Sequence, residues 1–329
     1  MTTITNTMNS ITAITEKISC PICGDNEYRV IYPAKHLTVS DSDLSEILKI
    51  YRSSSDEKLI DQLVSCQGCQ LKYLNPRIKS EIIISSYKEA IDPNFISQNL
   101  SRIKTFTRVL KKLINKHPTL FVPTRETKIL DIGCAGGAFP KAAVDLGFDA
   151  TGIEPSKWII NEANKLYNNT TTTTSHLKLF SGTLEEHNFN KNSFDIITLW
   201  DVIEHLTNID SVMLSIEKIL KPKGTFVINF PDYNSIVAQT LRSRWPFLLN
   251  VHLYYFTTKT IKMLLEKYNF KIIQTSPYYQ TLELSYVLKR ATPYVGAVAP
   301  LTKLICKLGL GSIPLTYNLG QTMVVAQKK

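Results

Sequence analysis

The stretch that most restricts the fold runs from Lys128 to Phe139 and reads KILDIGCAGGAF. Its apolar run, Ile129, Leu130 and Ile132, carries one acid, Asp131, and then breaks into a turn with Gly133, Gly136 and Gly137. A helix-compatible segment follows from Pro140 to Leu146. Strand, glycine turn and helix, in that order, form the entry unit of a nucleotide-binding α/β fold. Glycine has no Cβ, so the turn lets a ligand come close to the backbone. Ala135 stands where G-x-G-x-x-G would have its second glycine, so the turn alone does not choose the ligand.

Downstream, strand and helix patterns alternate. A second strand, Asp149 to Ile153, ends at Glu154, an acid placed to accept both hydroxyls of a ribose. A helix continues through Asn161 to Tyr167, and the tract Asn168 to Ser175 reads as a low-complexity loop. A third strand, Leu177 to Phe180, leads to Gly182, Thr183 and Leu184, where an adenine edge would sit. The fourth, Phe194 to Leu199, is apolar except for Asp195, as a buried parallel strand should be. It runs into Trp200 and Asp201. Helices are expected at Ser211 to Leu220 and Thr257 to Tyr268, and strands at Thr225 to Phe230, Phe270 to Ser276 and Thr322 to Gln327. The pattern predicts an α/β, doubly wound Rossmann-like sheet. A dinucleotide dehydrogenase and a methyltransferase both fit it.

The N-terminal part obeys different chemistry. Cys20 and Cys23 form one CxxC pair, and Cys66 and Cys69 another. Each pair lets two thiolates meet one ion from a tight turn, and four thiolates suit structural Zn²⁺. They leave no open position for catalysis. We expect a flexible N-terminus (1–17), a small zinc-ribbon-like, zinc-binding module (18–80), a helical bridge (81–127) and the α/β domain (128–329). An exposed helix is expected near Asp43 to Tyr51. In the bridge, Asn94 to His117 reads as one helix that could lie over the ligand mouth. The first residues lack an apolar core of the signal-peptide kind, and no apolar run reaches the roughly 18 residues of a membrane span. A cytoplasmic protein is expected. The net charge of +10 permits contact with nucleic acid or an anionic membrane without requiring either.

In LDIGCAGGAF, GIEPS (152–156), FDIITLWDVIEHL (194–206), LKPKGTFVINFPD (220–232) and HLYYFTTKTIKMLLEKYNF (252–270), the chain resembles the class I S-adenosylmethionine-dependent methyltransferases. It is also similar to members whose N-terminal zinc module ends in C-x-x-C-x-L-x-Y-L-N-P-R. Here that stretch reads CQGCQLKYLNPR, with Gln70 in place of the usual glycine. The resemblance implies a seven-stranded sheet with its last strand antiparallel, and S-adenosyl-L-methionine as cofactor. It implies that Asp131, Gly133, Cys134 and Gly137 belong to the cofactor cradle, that Glu154 holds the ribose, and that Thr183 and Leu184 flank the adenine. Asp201 would lie beside the methionine amino group. Such proteins often serve surface-polysaccharide, lipid-linked glycan or secondary-metabolite pathways.

The acceptor chemistry is less constrained. His205 and His252 are the candidate general bases. Asp201, Glu204 and His205 are spaced to share a helical face and could hold a weak Mg²⁺. Arg242, Arg244, Trp245, Tyr254 and Tyr255 suit a phosphate- or sugar-bearing acceptor. The segment 282–315, inserted before the last strand, is amphipathic and basic, and could rest on a membrane carrying a lipid-linked acceptor. The leading expectation is O- or C-methylation of a small-molecule sugar, glycan or lipid-linked intermediate. The rivals are an RNA methyltransferase that grips phosphates through the zinc module, and an inactive zinc-ribbon scaffold. DNA is not expected as a partner.

Overall fold

The computed structural model describes residues 14–35, 50–52, 57–168, 176–292 and 298–329. The chain first makes a knuckle at Cys20–Gly24, then strand β1 (Tyr28–Tyr32). Strand β2 (Leu63–Cys66) enters a second knuckle, which leads into β3 (Lys72–Leu74). The knuckles share one hydrogen-bond pattern. Gly24 N donates to the Cys20 carbonyl at 2.8 Å, and Gln70 N donates to that of Cys66 at 3.1 Å. The residue closing each turn is left-handed, Gly24 at φ 77° and Gln70 at φ 69°. Gln70 therefore carries a Cβ where the backbone favours glycine.

The LNPR segment turns out to be a joint. The Asn75 side chain mimics a strand edge, accepting from Ile18 N at 3.1 Å and donating to Ile18 O at 3.2 Å. The buried Arg77 holds Glu16 at 2.9 Å, the Tyr254 hydroxyl at 2.8 Å and the Thr207 carbonyl at 2.7 Å. Thr15–Glu16 pairs with Arg77–Ile78, so the lead-in expected to be flexible up to residue 17 is ordered from Ile14 onward. The helix expected near Asp43 to Tyr51 lies mostly outside the described residues, and Tyr51 is buried rather than exposed.

Three helices follow: α1 (Ser80–Lys88), α2 (Pro93–Ser97) and α3 (Asn99–Lys116). The single helix expected from Asn94 is broken at Gln98. That buried side chain leaves the helical register to meet Glu283 through both its amide atoms, each at 3.4 Å.

The α/β part runs β4 (Lys128–Ile132), α4 (Ala138–Asp145), β5 (Asp149–Glu154), α5 (Lys157–Asn168), β6 (Leu177–Ser181), β7 (Phe194–Trp200), α6 (Ile209–Ile219) and β8 (Leu220–Pro231). Then come α7 (Ile236–Leu241), β9 (Tyr254–Tyr255), α8 (Thr258–Lys267) and β10 (Phe270–Pro277). The chain ends with β11 (Gln280–Glu283), α9 (Leu284–Ala291), α10 (Val298–Lys307), β12 (Pro314–Tyr317) and β13 (Gln321–Lys328). Seven strands form one sheet in the order β10–β13–β8–β7–β4–β5–β6, and β13 is antiparallel to both its neighbours. Side chains alternate across this sheet with the strand period of two. Ile129, Ile196, Val227 and Val325 face α3 and α4. Leu130, Ile197, Phe226 and Ile228 face α6, α8 and the N-terminal module.

Two features differ from the expected layout. The small sheet has the order β9–β3–β2–β1, so the segment 18–80 borrows an edge strand from Tyr254–Tyr255. Its Leu63, Tyr73 and Leu74 belong to the same apolar cluster as the inner face of the large sheet. The insertion expected at 282–315 is framed by a strand pair, β11 with β12, which starts two residues earlier at Gln280. No helix among the described residues is long and apolar enough to cross a membrane.

Candidate active site

A cavity of about 1480 Å³ opens at the carboxyl ends of β4, β5 and β7. Parallel sheets place ligands there because strand ends and helix starts present unpaired backbone groups together. One wall is the glycine turn. Gly133 is left-handed at φ 70°, and a Cβ on it would stand 2.5 Å from the Val202 side chain. Glycine therefore lets the loops after β4 and β7 close on one another. Gly133, Cys134, Ala135 and Gly136 line the cavity. Gly137, expected in the cradle, does not. It starts α4, and its Cβ position is taken by Leu179 and Tyr167.

Glu154 is buried at the end of β5. Its carboxylate accepts from Ala135 N and Ser156 N, both at 3.1 Å. Those bonds orient it and leave further lone pairs for a ligand on the cavity side. Burial pushes its pKa up to about 7, against the pull of the two N–H groups. Asp131 is also buried, receives the Thr198 hydroxyl at 2.6 Å, and is raised by burial. The Cys134 thiol is raised by burial and by both acids, which disfavours its thiolate form. Thr183 and Leu184 line the adjoining wall, where Thr183 N donates to Glu186 at 2.9 Å.

Helix α3 closes the other side. Asn99 Nδ2 donates to the Gly136 carbonyl at 2.7 Å, and Tyr167 donates to the same oxygen at 2.8 Å. Arg102 stacks 3.7 Å from the Phe95 ring centroid, and its buried Nε has no partner among the described residues. The Trp200 indole nitrogen is likewise buried and unpartnered. Both residues line the cavity. Such orphaned donors suit a polar, partly anionic ligand. Together with the glycine turn and Glu154, this wall fits an amino-acid nucleoside.

The floor lies beyond β7. Asp201, left-handed at φ 55°, accepts from Asn229 at 2.8 Å, Gln321 at 2.5 Å and Gln280 at 3.0 Å. The segment after it forms a short 3₁₀ turn, Ile203–His205, so the helical face expected for Asp201, Glu204 and His205 does not form. The metal-capable cluster is instead Glu204, His205 and His252, with one ligand atom of each lying within 4.8 Å of the others. His205 Nδ1 lies 2.9 Å from the Val251 carbonyl and 2.8 Å from the Tyr87 hydroxyl. His252 Nδ1 lies 2.8 Å from the Phe247 carbonyl. Carbonyls only accept, so each Nδ1 carries the proton and each Nε2 keeps a lone pair. Burial lowers His205 to about 4 and His252 well below its usual value, so both rings are neutral. Glu204 is buried with neither carboxylate oxygen bonded to another described residue. Burial, and then Asp201, push it up.

Of the expected acceptor group, only Arg244 lines the cavity. Trp245 is buried and donates to the Leu319 carbonyl at 2.8 Å, Tyr254 binds Arg77, and Tyr255 donates to the Leu249 carbonyl at 2.6 Å. These aromatics build the wall instead of offering surface. Arg290, from the basic segment 282–315, lines the cavity, and so do Tyr87, Asn99, Arg102 and Tyr286, which no sequence feature marks. They lie in helical segments with no motif, and helical periodicity marks only their apolar neighbours.

Away from this cavity, the four N-terminal cysteines converge. Cys20 and Cys69 sulfurs are 3.4 Å apart, as are those of Cys23 and Cys66, and none forms a disulfide. Hydrogen bonding with Cys69, then burial, raises the Cys20 thiol, and burial pushes Cys66 up to about 11. Four thiols so placed ionise together only around a cation, so the donor set fits a metal ion.

The sheet order, with its last strand antiparallel, and the glycine turn are those of the class I S-adenosylmethionine-dependent methyltransferase fold. The family model described as "Methyltransferase domain" matches residues 95–275, more than half of the chain, and the chain belongs to that family. It is 30% identical over 120 residues to the ubiquinone biosynthesis O-methyltransferase of Rickettsia bellii, covering 36% of this chain and 48% of that one. It is 28% identical over 152 residues to a sarcosine/dimethylglycine N-methyltransferase of Aphanothece halophytica, covering 46% and 51%. The matched stretch spans about half the length of these relatives. Among solved structures, magnesium protoporphyrin IX methyltransferase from Synechocystis, with S-adenosylhomocysteine bound, covers 76% of this chain and 100% of its own at 12% identity and a TM-score of 0.49.

Proposed function

We propose that this protein transfers a methyl group from S-adenosylmethionine to a small-molecule acceptor, a sugar, glycan or lipid-linked intermediate. The observation that carries this reading is a single cavity shared by the Glu154 cradle and the histidine floor. In it, Glu154 would take the ribose hydroxyls, Arg102 Nε the methionine carboxylate, and Thr183 and Leu184 the adenine edge. Asp201, its carboxylate already holding three amide groups, would offer its remaining lone pair to the amino group. When bound, the sulfonium supplies an activated methyl. The protein's own task is to position the acceptor and to remove its proton. The neutral Nε2 atoms of His205 and His252 are the acceptors for that proton. The four cysteines would hold a structural zinc.

A second reading of the floor is a divalent ion on Glu204, His205 and His252. It is favoured by the two carbonyl-oriented imidazoles and the unpartnered carboxylate. Calorimetry with S-adenosylmethionine tests the main reading. Wild type should bind, and Glu154→Gln should weaken binding by about tenfold or more, the cost of losing a charged acceptor. Equal binding by the two proteins would sink the assignment. Turnover that survives dialysis against a chelator, with the cysteine site still loaded, would remove the second reading.

A further inference from the structure

We propose that the outer rim of the cavity is a docking face for an anionic lipid surface. The inference rests on the reading that the cavity takes the acceptor, and deepens it: the acceptor is met at a bilayer. Two chain segments form this rim. One is the α7 region, whose Leu241 and Arg244 line the cavity. The other is the cap of α9, α10 and β12, whose Tyr286, Arg290 and Tyr317 line it too. Both are devoid of acids. No Asp or Glu occurs between Tyr233 and Leu265, or between Leu284 and Lys329, while the chain as a whole has 28 of them.

The cap is also apolar where it is exposed. From Lys303 to Thr316 every residue is exposed except Ile305 and Gly311, which are half-buried. Leu304, Leu308, Leu310, Ile313 and Leu315 are among the large exposed hydrophobic residues, with Leu308 at 60%. In α7, Ile236 is 86% exposed. A soluble surface rarely clusters such side chains without a use. Leucines and isoleucines mixed with Lys303 and Lys307, with no compensating acids, match an interface that is apolar inside and negative outside. A second copy of this chain would bring the same positive charge against itself.

The experiment is co-sedimentation of the full chain with vesicles of phosphatidylcholine alone, or with about a third phosphatidylglycerol, near physiological salt. The protein should sediment with the anionic vesicles only. The Lys303→Glu/Lys307→Glu and Leu304→Ser/Leu308→Ser variants should each lower the bound fraction by about tenfold. S-adenosylmethionine titrations of the same variants should match wild type, which shows that they fold and separates this proposal from the cofactor reading. Failure to sediment, equal binding to neutral vesicles, or full binding by both variants would each overturn it. Self-association that the variants abolish, without vesicle binding, would assign the face to a second copy. Capture by poly-glutamate but not by vesicles would assign it to an acidic protein.

Discussion

The two walls of the cavity are built in opposite ways. The cradle wall comes from short turns at the ends of β4, β5 and β6, with α3 laid over it, and the turn residues lie within a few positions of a strand end. The floor is assembled from distant pieces: Tyr87 on α1, His205 after β7, His252 before β9, and Arg290 on the cap. The cradle inherits its geometry from the sheet. The floor needs a brace, and the N-terminal module supplies it. Leu74 N donates to the Leu253 carbonyl at 3.0 Å, and Leu253 N donates to the Glu204 carbonyl at 2.8 Å. Arg77 ties Tyr254 and Thr207 to the same edge. The cysteine knuckles thus stand one strand away from the histidines.

That contrast can be broken by experiment, beginning with the largest effect. Replacing His205 by Ala should lower kcat by about 10²–10⁴-fold if its Nε2 takes the acceptor's proton, with the cofactor Kd unchanged. Equal losses in kcat and cofactor binding would mean that floor and cradle are one unit. The next effect is on stability. Arg77→Ala leaves the Tyr254 hydroxyl and the Thr207 carbonyl without a buried partner, and should cost about 3 kcal/mol in denaturant unfolding. Any surviving folded protein should lose turnover before it loses cofactor affinity.

A pH series sharpens the comparison further. Glu154 is raised to about 7, and ribose hydroxyls favour its ionised form. Cofactor binding should therefore tighten by about tenfold from about pH 6 to about pH 8, and Glu154→Gln should flatten the profile. In the free protein the same group acts on stability with the opposite sign. The folded carboxyl keeps a proton that the unfolded chain releases between 4.5 and about 7, so stability from Glu154 falls as pH rises through that window. His205, lowered to about 4, does the reverse. Its unfolded form takes up a proton below 6.5, so stability falls as pH falls. The smallest effect is Gln70→Gly. Relieving a left-handed residue at φ 69° should stabilise the module by about 1 kcal/mol, read as a shift in Tm.

Legibility in the sequence follows the same division. Glu154 lies at the end of its strand and Asp201 directly after β7, because short loops on buried strands leave little freedom. Gly137 serves packing, because Leu179 and Tyr167 stand where its Cβ would be, and local pattern does not show those neighbours. The helix expected to begin at Asn94 was interrupted because Gln98 found a partner in Glu283, far along the chain. Asp201, Glu204 and His205 have helical spacing, but the turn is 3₁₀, and His252 takes the place expected of Asp201. Trp245, Tyr254 and Tyr255 carry polar tips suited to a ligand, yet each tip is satisfied inside the wall.

From residue order alone came the alternation of strands and helices, the glycine turn, the acid closing β5 and the paired cysteines. Each depends on neighbours within a few positions, where periodicity and backbone sterics act. Tertiary structure alone decided that β9 completes the cysteine module's sheet, that α3 hooks over Gly136, and that two histidines and a buried acid meet on one floor. Those outcomes depend on long-range burial and on satisfying buried polar groups, and local pattern does not encode either.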